Sequence, residues 1–212
     1  MTVWKDNNTL RPGRLTEENL NSTNKSKKVV AKNKKHLKQL IDERLARFGN
    51  RCDLNDIDVS QITDMSDLFN GLIFKGDVSE WDVSNVRNMM GMFEHSEFNG
   101  DISKWNVSKV RDMSFMFLGT PFNGDISNWN VSRVRDMRAM FMYSKFNGDI
   151  SRWNVSNVRN MFLMFTGSSF NGDVSNWDVS KVEYMDKMFR GSPLEGKEPS
   201  WYREGARLVD GI

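Results

Sequence analysis

Five aspartates, Asp77, Asp101, Asp125, Asp149 and Asp173, recur at one spacing, and each directly follows a glycine. Stacked carboxylates can hold Ca²⁺, as some glycine- and aspartate-rich repeats do. One carboxylate per step of ~4.8 Å is thin coordination for an ion that takes 6–8 oxygens. These aspartates read instead as acceptors for turn N–H groups. Arg87, Arg111, Arg135 and Arg159 form a second column, flanked by Lys109, Arg133 and Lys181. A basic column can track phosphates. Asp112 and Asp136 directly follow two of these arginines, so pairing with neighbouring carboxylates is the competing reading. Asn-Val-Ser at Asn106, Asn130 and Asn154 matches a glycosylation acceptor, which matters only in an exported chain. Its serine also suits an N-cap or a corner. His36, His95 and the single cysteine, Cys52, complete the inventory. One cysteine excludes an internal disulfide framework and a cysteine-based zinc site. Catalysis needs unlike groups converging on one pocket, whereas these residues form ladders of like groups. The expectation is a non-enzymatic chain with no catalytic residue, no cofactor and no metal.

The ladders require a repeating scaffold. Trp81, Trp105, Trp129, Trp153 and Trp177 are 24 residues apart, and Trp201 falls on the same grid. Met65, Met89, Met113, Met137, Met161 and Met185 form another column, and Phe69, Phe93, Phe117, Phe141, Phe165 and Phe189 a third. Phe74, Phe98, Phe122, Phe146 and Phe170 form a fourth, closed by Leu194. Eleven of the fourteen Met and eleven of the fourteen Phe lie on such columns, which accounts for their abundance.

Within the unit 101–124, Trp105 and Val107 are two apart, which predicts a short strand with one buried face. Val110, Met113, Met116 and Phe117 are three to four apart, which predicts one or two helical turns. Asn123-Gly124 marks a tight turn between units. A single unit cannot bury its own apolar side chains, so units must stack. Each side chain buried by stacking contributes ~1.5–3 kcal/mol. About six parallel steps of ~4.8 Å give a body roughly 25–30 Å long.

The pattern Asn-Gly-Asp-Ile-Ser-x-Trp-Asn-Val-Ser-x-Val-Arg-Asp-Met-x-x-Met-Phe resembles the BspA-family leucine-rich-repeat surface proteins. It is most similar to their subgroup with repeats of about 25 residues, within the leucine-rich-repeat range, known from mycoplasma lipoproteins and other bacterial surface proteins. The resemblance covers about residues 53–194. It implies a leucine-rich-repeat-like solenoid and a habit of adhesion or protein binding, and no catalytic residues. The expected fold is therefore α/β: a right-handed leucine-rich-repeat-like solenoid of 24-residue strand-helix units with an N-terminal helical cap.

The ends differ from the repeat. Residues 1–50 carry twelve Lys/Arg against five Asp/Glu, so the front is basic and the remainder mildly acidic. Residues 1–28 read as a basic polar arm, partly mobile, in which Trp4 and Leu10 can dock locally. Residues 29–52 read as an N-terminal cap. It has a short strand near Val29 and a helix over 33–48, started by Asn33 and stopped by Gly49-Asn50. Residues 53–194 form the repeat, with Ile57, Val59 and Ile62 in the Trp and Val columns of a divergent first unit. Residues 195–212, with Trp201, Leu208 and Val209, form a C-terminal cap. The start lacks the apolar core of a signal peptide and no run of about 18 apolar residues occurs. A cytoplasmic location with no membrane contact is expected, and the cell surface is the alternative.

Function is expected in columns that vary where packing does not fix them. Before each Trp stand Glu80, Lys104, Asn128, Arg152 and Asn176, a candidate strand face. On the helical side, Met90, Phe115, Leu118, Met142, Tyr143, Phe162 and Leu163 are large and apolar where other units have small or polar residues. Such a strip often marks a contact surface, with extra packing between neighbouring helices as the competing reading. The expectation is a protein-binding module that acts as inhibitor or adaptor of an intracellular partner. A bacterial surface adhesin is the alternative. Nucleic-acid binding through Arg87, Arg111, Arg135 and Arg159 and the basic N-terminus is third.

Overall fold

The computed structural model describes residues 28–204. Trp4, Leu10, Leu208 and Val209, on which the readings of both ends drew, lie outside the described residues. The chain enters through β1 (Val29–Val30), then α1 (Lys34–Phe48). Asn33 is extended, and its side chain accepts the His36 N–H at 2.9 Å, which starts the helix. Gly49, at φ 79°, ends it by donating its N–H to the Leu45 carbonyl. Leu37, Leu40 and Ile41, at helical spacing, turn inward and join the core. Polar contacts flanking this buried face hold the helix over the first unit. Arg44 meets Asp56 at 2.7 Å, and Lys38 donates to the Leu68 carbonyl. β1 runs parallel to β2 (Ile57–Asp58), with Val29 opposite Ile57.

From residue 53 onward the units stack in parallel at a register of 24. A line of bridges runs Asp64, Asn88, Asp112, Asp136, Asn160, Tyr184. Among the described residues α1 is the only α-helix, and neither strand exceeds two residues. After the first unit, which keeps β2, the strand and helix expected within each unit are turns. The reason lies in where the amides go. Met113, Phe115, Phe117 and Gly119 donate their N–H groups to Asp136, Arg138, Met140 and Met142 of the next unit. Met116, Leu118 and Thr120 instead bond three residues back within their own unit. Left-handed residues at Phe115 and Gly119, four apart, make this alternation possible. Apolar residues at i, i+3 and i+4 still face inward, so the spacing imitates a helix that the backbone does not form. Trp105 and Val107 also alternate in and out, but they sit between turns closed by Trp105 N–H to Ile102 and Val110 N–H to Val107.

Each interior unit has three side-chain-closed turns. In the unit 101–124, Asp101, Asn106 and Asp112 accept the N–H groups of Ser103, Ser108 and Ser114. Each is an acidic or amide side chain bonding backbone two residues on. Between the turns the columns close one continuous interior. The Met columns and both Phe columns are buried. Rings of neighbouring units stack, Phe117 on Phe141 at 5.7 Å and Phe122 on Phe146 at 6.2 Å. Every Trp of the grid from Trp81 to Trp201 donates its indole N–H to a carbonyl of the preceding unit, Trp129 to Ile102 at 3.2 Å for example. The column therefore fastens successive units by a buried hydrogen bond as well as by area.

Candidate functional site

The bridge line and the turns after it form one face of the stack. Met90, Phe115, Met142, Phe162 and Leu163 are half-buried there, Leu118 is buried, and Tyr143 is 60% exposed. Packing between units thus accounts for Leu118. Phe162 lines one hollow on this face, and Met142, Tyr143 and Leu163 line another. One, of about 440 Å³, is lined by Arg138, Asn160, Phe162, Tyr184 and Asp186. The other, of about 370 Å³, is lined by Met142, Tyr143, Leu163, Thr166, Gly167, Lys187, Arg190 and Gly191. Met90 and Phe115 line neither.

The backbone beneath this face is unusual. Two positions per unit are left-handed, four residues apart. Glycine is the residue with no steric penalty there, and it fills Gly71, Gly119, Gly167 and Gly191 in one column and Gly91 in the other. The same columns hold Tyr143 (φ 55°), Phe115 (φ 60°) and Leu163 (φ 60°). A side chain in this region costs roughly 1–2 kcal/mol. Burial does not explain the choice at Tyr143, because most of its surface faces water. Its ring lies across Gly167 of the next unit, where an added Cβ would collide with it. Phe115 carries the Arg138 guanidinium over its ring at 4.9 Å. Arg138 Nε is buried with no hydrogen-bond partner.

The residues before each Trp lie elsewhere. Glu80, Lys104, Asn128, Arg152 and Asn176 are all exposed, but at turns rather than on a strand face. Lys104 approaches Glu80 at 3.9 Å, a surface pair of the kind that contributes at most ~1 kcal/mol. The preceding aspartates close these turns, with Asp125 accepting from Ser127 at 2.9 Å. The Ser103, Ser127, Ser151 and Ser175 N–H groups hold the carboxyls of Asp101, Asp125, Asp149 and Asp173 below their ordinary range.

The arginine column departs from its expected pairing. Asp112 and Asp136 bond the N–H groups of Ser114 and Arg138, not the guanidinium groups beside them. Neighbours along an extended stretch point to opposite sides, so adjacency in sequence separates them. Arg159 meets Glu183 at 3.0 Å. Among the described residues, Arg87, Arg111 and Arg135 have no ion pair. A groove of about 340 Å³ is lined by Arg111, Ser132, Arg133, Arg135, Asn157, Arg159 and Lys181.

Of the remaining reactive residues, Cys52 is buried, and burial pushes its thiol up, away from the nucleophilic thiolate. His36 accepts the Lys32 N–H, and the His95 ring lies against Gly119. Among the described residues no three His, Cys, Asp or Glu side chains gather as metal ligands would, and no helix is long and apolar enough to cross a membrane. Among the residues of the face that escaped sequence reasoning, two stand out. Tyr184, 44% exposed, ends a column otherwise made of Asp and Asn. That break was a readable signal. Arg138 had none, because its role depends on Phe115 one unit away.

A family model described as "Mycoplasma protein of unknown function, DUF285" matches residues 35–145 and again 118–201. No curated protein and no solved structure matches the chain.

Proposed function

The chain belongs to this repeat family of Mycoplasma proteins of unknown function, and from that premise we propose that it is a non-enzymatic protein-binding module. We take its stack to be a right-handed solenoid akin to the BspA-type surface repeats it resembles, with recognition on the face around Phe115, Tyr143 and Leu163. The observation that carries this reading is Tyr143, a large, mostly exposed ring held in a left-handed conformation where four of its five column neighbours are glycine. The fold needs the left-handed backbone here but no large side chain on it, and strain accepted beyond the fold's need is a pointer to function. The partner chemistry follows from the hollows. Their walls offer aromatic and aliphatic side chains rimmed by three cations, Arg138, Lys187 and Arg190, against one carboxylate, Asp186. Such a surface fits a protein with apolar anchors set among carboxylates. Inhibitor or adaptor of an intracellular partner is the form of the reading we carry. A surface adhesin is the competing form, and protease shaving of intact cells separates the two.

The test is capture of a partner by the full chain, followed by variants on two surfaces. Phe115→Asp suits the backbone, since Asp67 already occupies that column at φ 57°, and Tyr143→Asp introduces a residue type enriched in the left-handed region. Both are expected to abolish capture while leaving the circular-dichroism spectrum unchanged. Lys104→Glu with Arg152→Glu is expected to leave capture intact. The opposite pattern would move the site to the turns before the Trp column.

A further inference from the structure

A second surface points to a different ligand, independently of the apolar face, with which its groove shares no lining residue. We propose that the groove along the arginine column binds the phosphate backbone of a double-stranded nucleic acid.

Three observations carry the proposal. The first is the one-signed lining. Arg111, Arg133, Arg135, Arg159 and Lys181 wall the groove without a carboxylate. The neutral lining groups are already engaged. Asn157 donates to the Ser132 carbonyl and accepts from Lys181, and the Ser132 hydroxyl bonds Asn130. The free donors are guanidinium groups, whose planar fork fits phosphate oxygens in pairs. Only Arg159 is drawn off, by Glu183 at the far end.

The second is a charge substitution at the corner just before the stripe. Asp82 and Asp178 close that turn in outer units, and Asn106, Asn130 and Asn154 close it in the three units between. Distances to the serine N–H groups run only from 3.0 to 3.2 Å, so the turn works with either residue. The neutral form removes a negative charge beside the middle of the stripe.

The third is charge density. With Arg87 and Lys109 the stripe carries seven exposed cations over five units, or about one per 3.4 Å at ~4.8 Å per step. B-DNA presents one charge per ≈ 1.7 Å of axis. An extended acidic peptide offers one carboxylate per ~6.6 Å on a given face, which leaves about half of these cations unmatched. No aromatic side chain lines the groove, and single-strand binders stack bases on such rings. The surface therefore suits a backbone contact without base readout.

Fluorescence anisotropy of the full chain with a labelled duplex tests this. With about five phosphates engaged, the log–log salt slope is near −4.5, and affinity falls ~500-fold between 50 and 200 mM salt. Arg111→Gln and Arg135→Gln, exposed and unpaired, are each expected to make the slope shallower by about 1 with unchanged circular dichroism. No binding at the lower salt would overturn the proposal. So would a slope unmoved by the two variants, which would place the contact on basic residues elsewhere. Equal affinity for polyglutamate, for inorganic pyrophosphate or for a single-stranded oligonucleotide would also overturn it, because the groove would then not select a duplex.

Discussion

Replacing Tyr143 by glycine and by alanine in parallel separates the ring from the backbone that carries it. The ring is about 40% buried, since 60% of the residue faces solvent. Of the roughly 200 Å² an aromatic side chain can bury, about 80 Å² is lost in either variant, or ~2 kcal/mol. Alanine keeps the penalty for a Cβ at φ 55°, roughly 1–2 kcal/mol. Glycine removes it but adds ~0.5–1 kcal/mol of unfolded-chain entropy. Tyr143→Gly is therefore expected to be the more stable of the pair by about 0.5–1 kcal/mol, the reverse of the order in regular structure. Its loss against the natural chain comes to ~1 kcal/mol, far below the ~3–5 kcal/mol of truncating a core ring such as Phe141 to alanine. Urea unfolding measures both differences. Alanine equal to or better than glycine, or a glycine variant weakened by more than ~3 kcal/mol, would show that Tyr143 serves the fold rather than a partner.

Trp129→Phe is expected to destabilise by about 2–4 kcal/mol, because the Ile102 carbonyl loses its buried donor and part of the ring volume empties. Thermal melts against a Phe→Leu change at an exposed site such as Phe48 would measure it. Asp136 stands one unit from Asp112 in the bridge line, and burial foremost, with that neighbouring charge, pushes its carboxyl above the ordinary value. A raised folded-state value means that the folded chain binds the extra proton, so this contribution weakens as pH rises through the Asp136 value. Asp136→Asn, the residue found at Asn88 and Asn160, is expected to gain ~0.2–1 kcal/mol near neutrality and nothing in acid below the ordinary carboxylate range. Asp101, Asp125, Asp149 and Asp173 carry the opposite sign. Their lowered values mean stability present above the ordinary carboxylate range and lost as pH falls through the folded values. Urea midpoints across acid pH, in the natural chain and in Asp136→Asn, resolve the two trends.

The columns were legible because a stack of identical units forces identical side chains inward. Trp105, Met113, Phe117 and Phe122 each had several copies in register. The ends of α1 were legible for a local reason, since Asn33 and Gly49 satisfy amides within their own turn. The path of the backbone inside a unit was not. Val110, Met113, Met116 and Phe117 have helical spacing, yet alternate N–H groups serve the next unit, and a pattern within one unit carries no record of that. Adjacency misled at Arg111-Asp112 and Arg135-Asp136 for the same reason, because extended neighbours face apart. The apolar strip was found by comparing units with one another. Phe115, Tyr143 and Leu163 gained their meaning only from their left-handed backbone, and Arg138 only from the ring beneath it.

Hydrogen exchange of the full chain with and without its captured protein partner tests the recognition face most directly. Added protection is expected at residues 138–144 and 162–167, around the two hollows, with residues 125–130 and 149–154 at the turns before Trp129 and Trp153 unchanged. Protection confined to those turns, with none around Tyr143 and Leu163, would contradict the account.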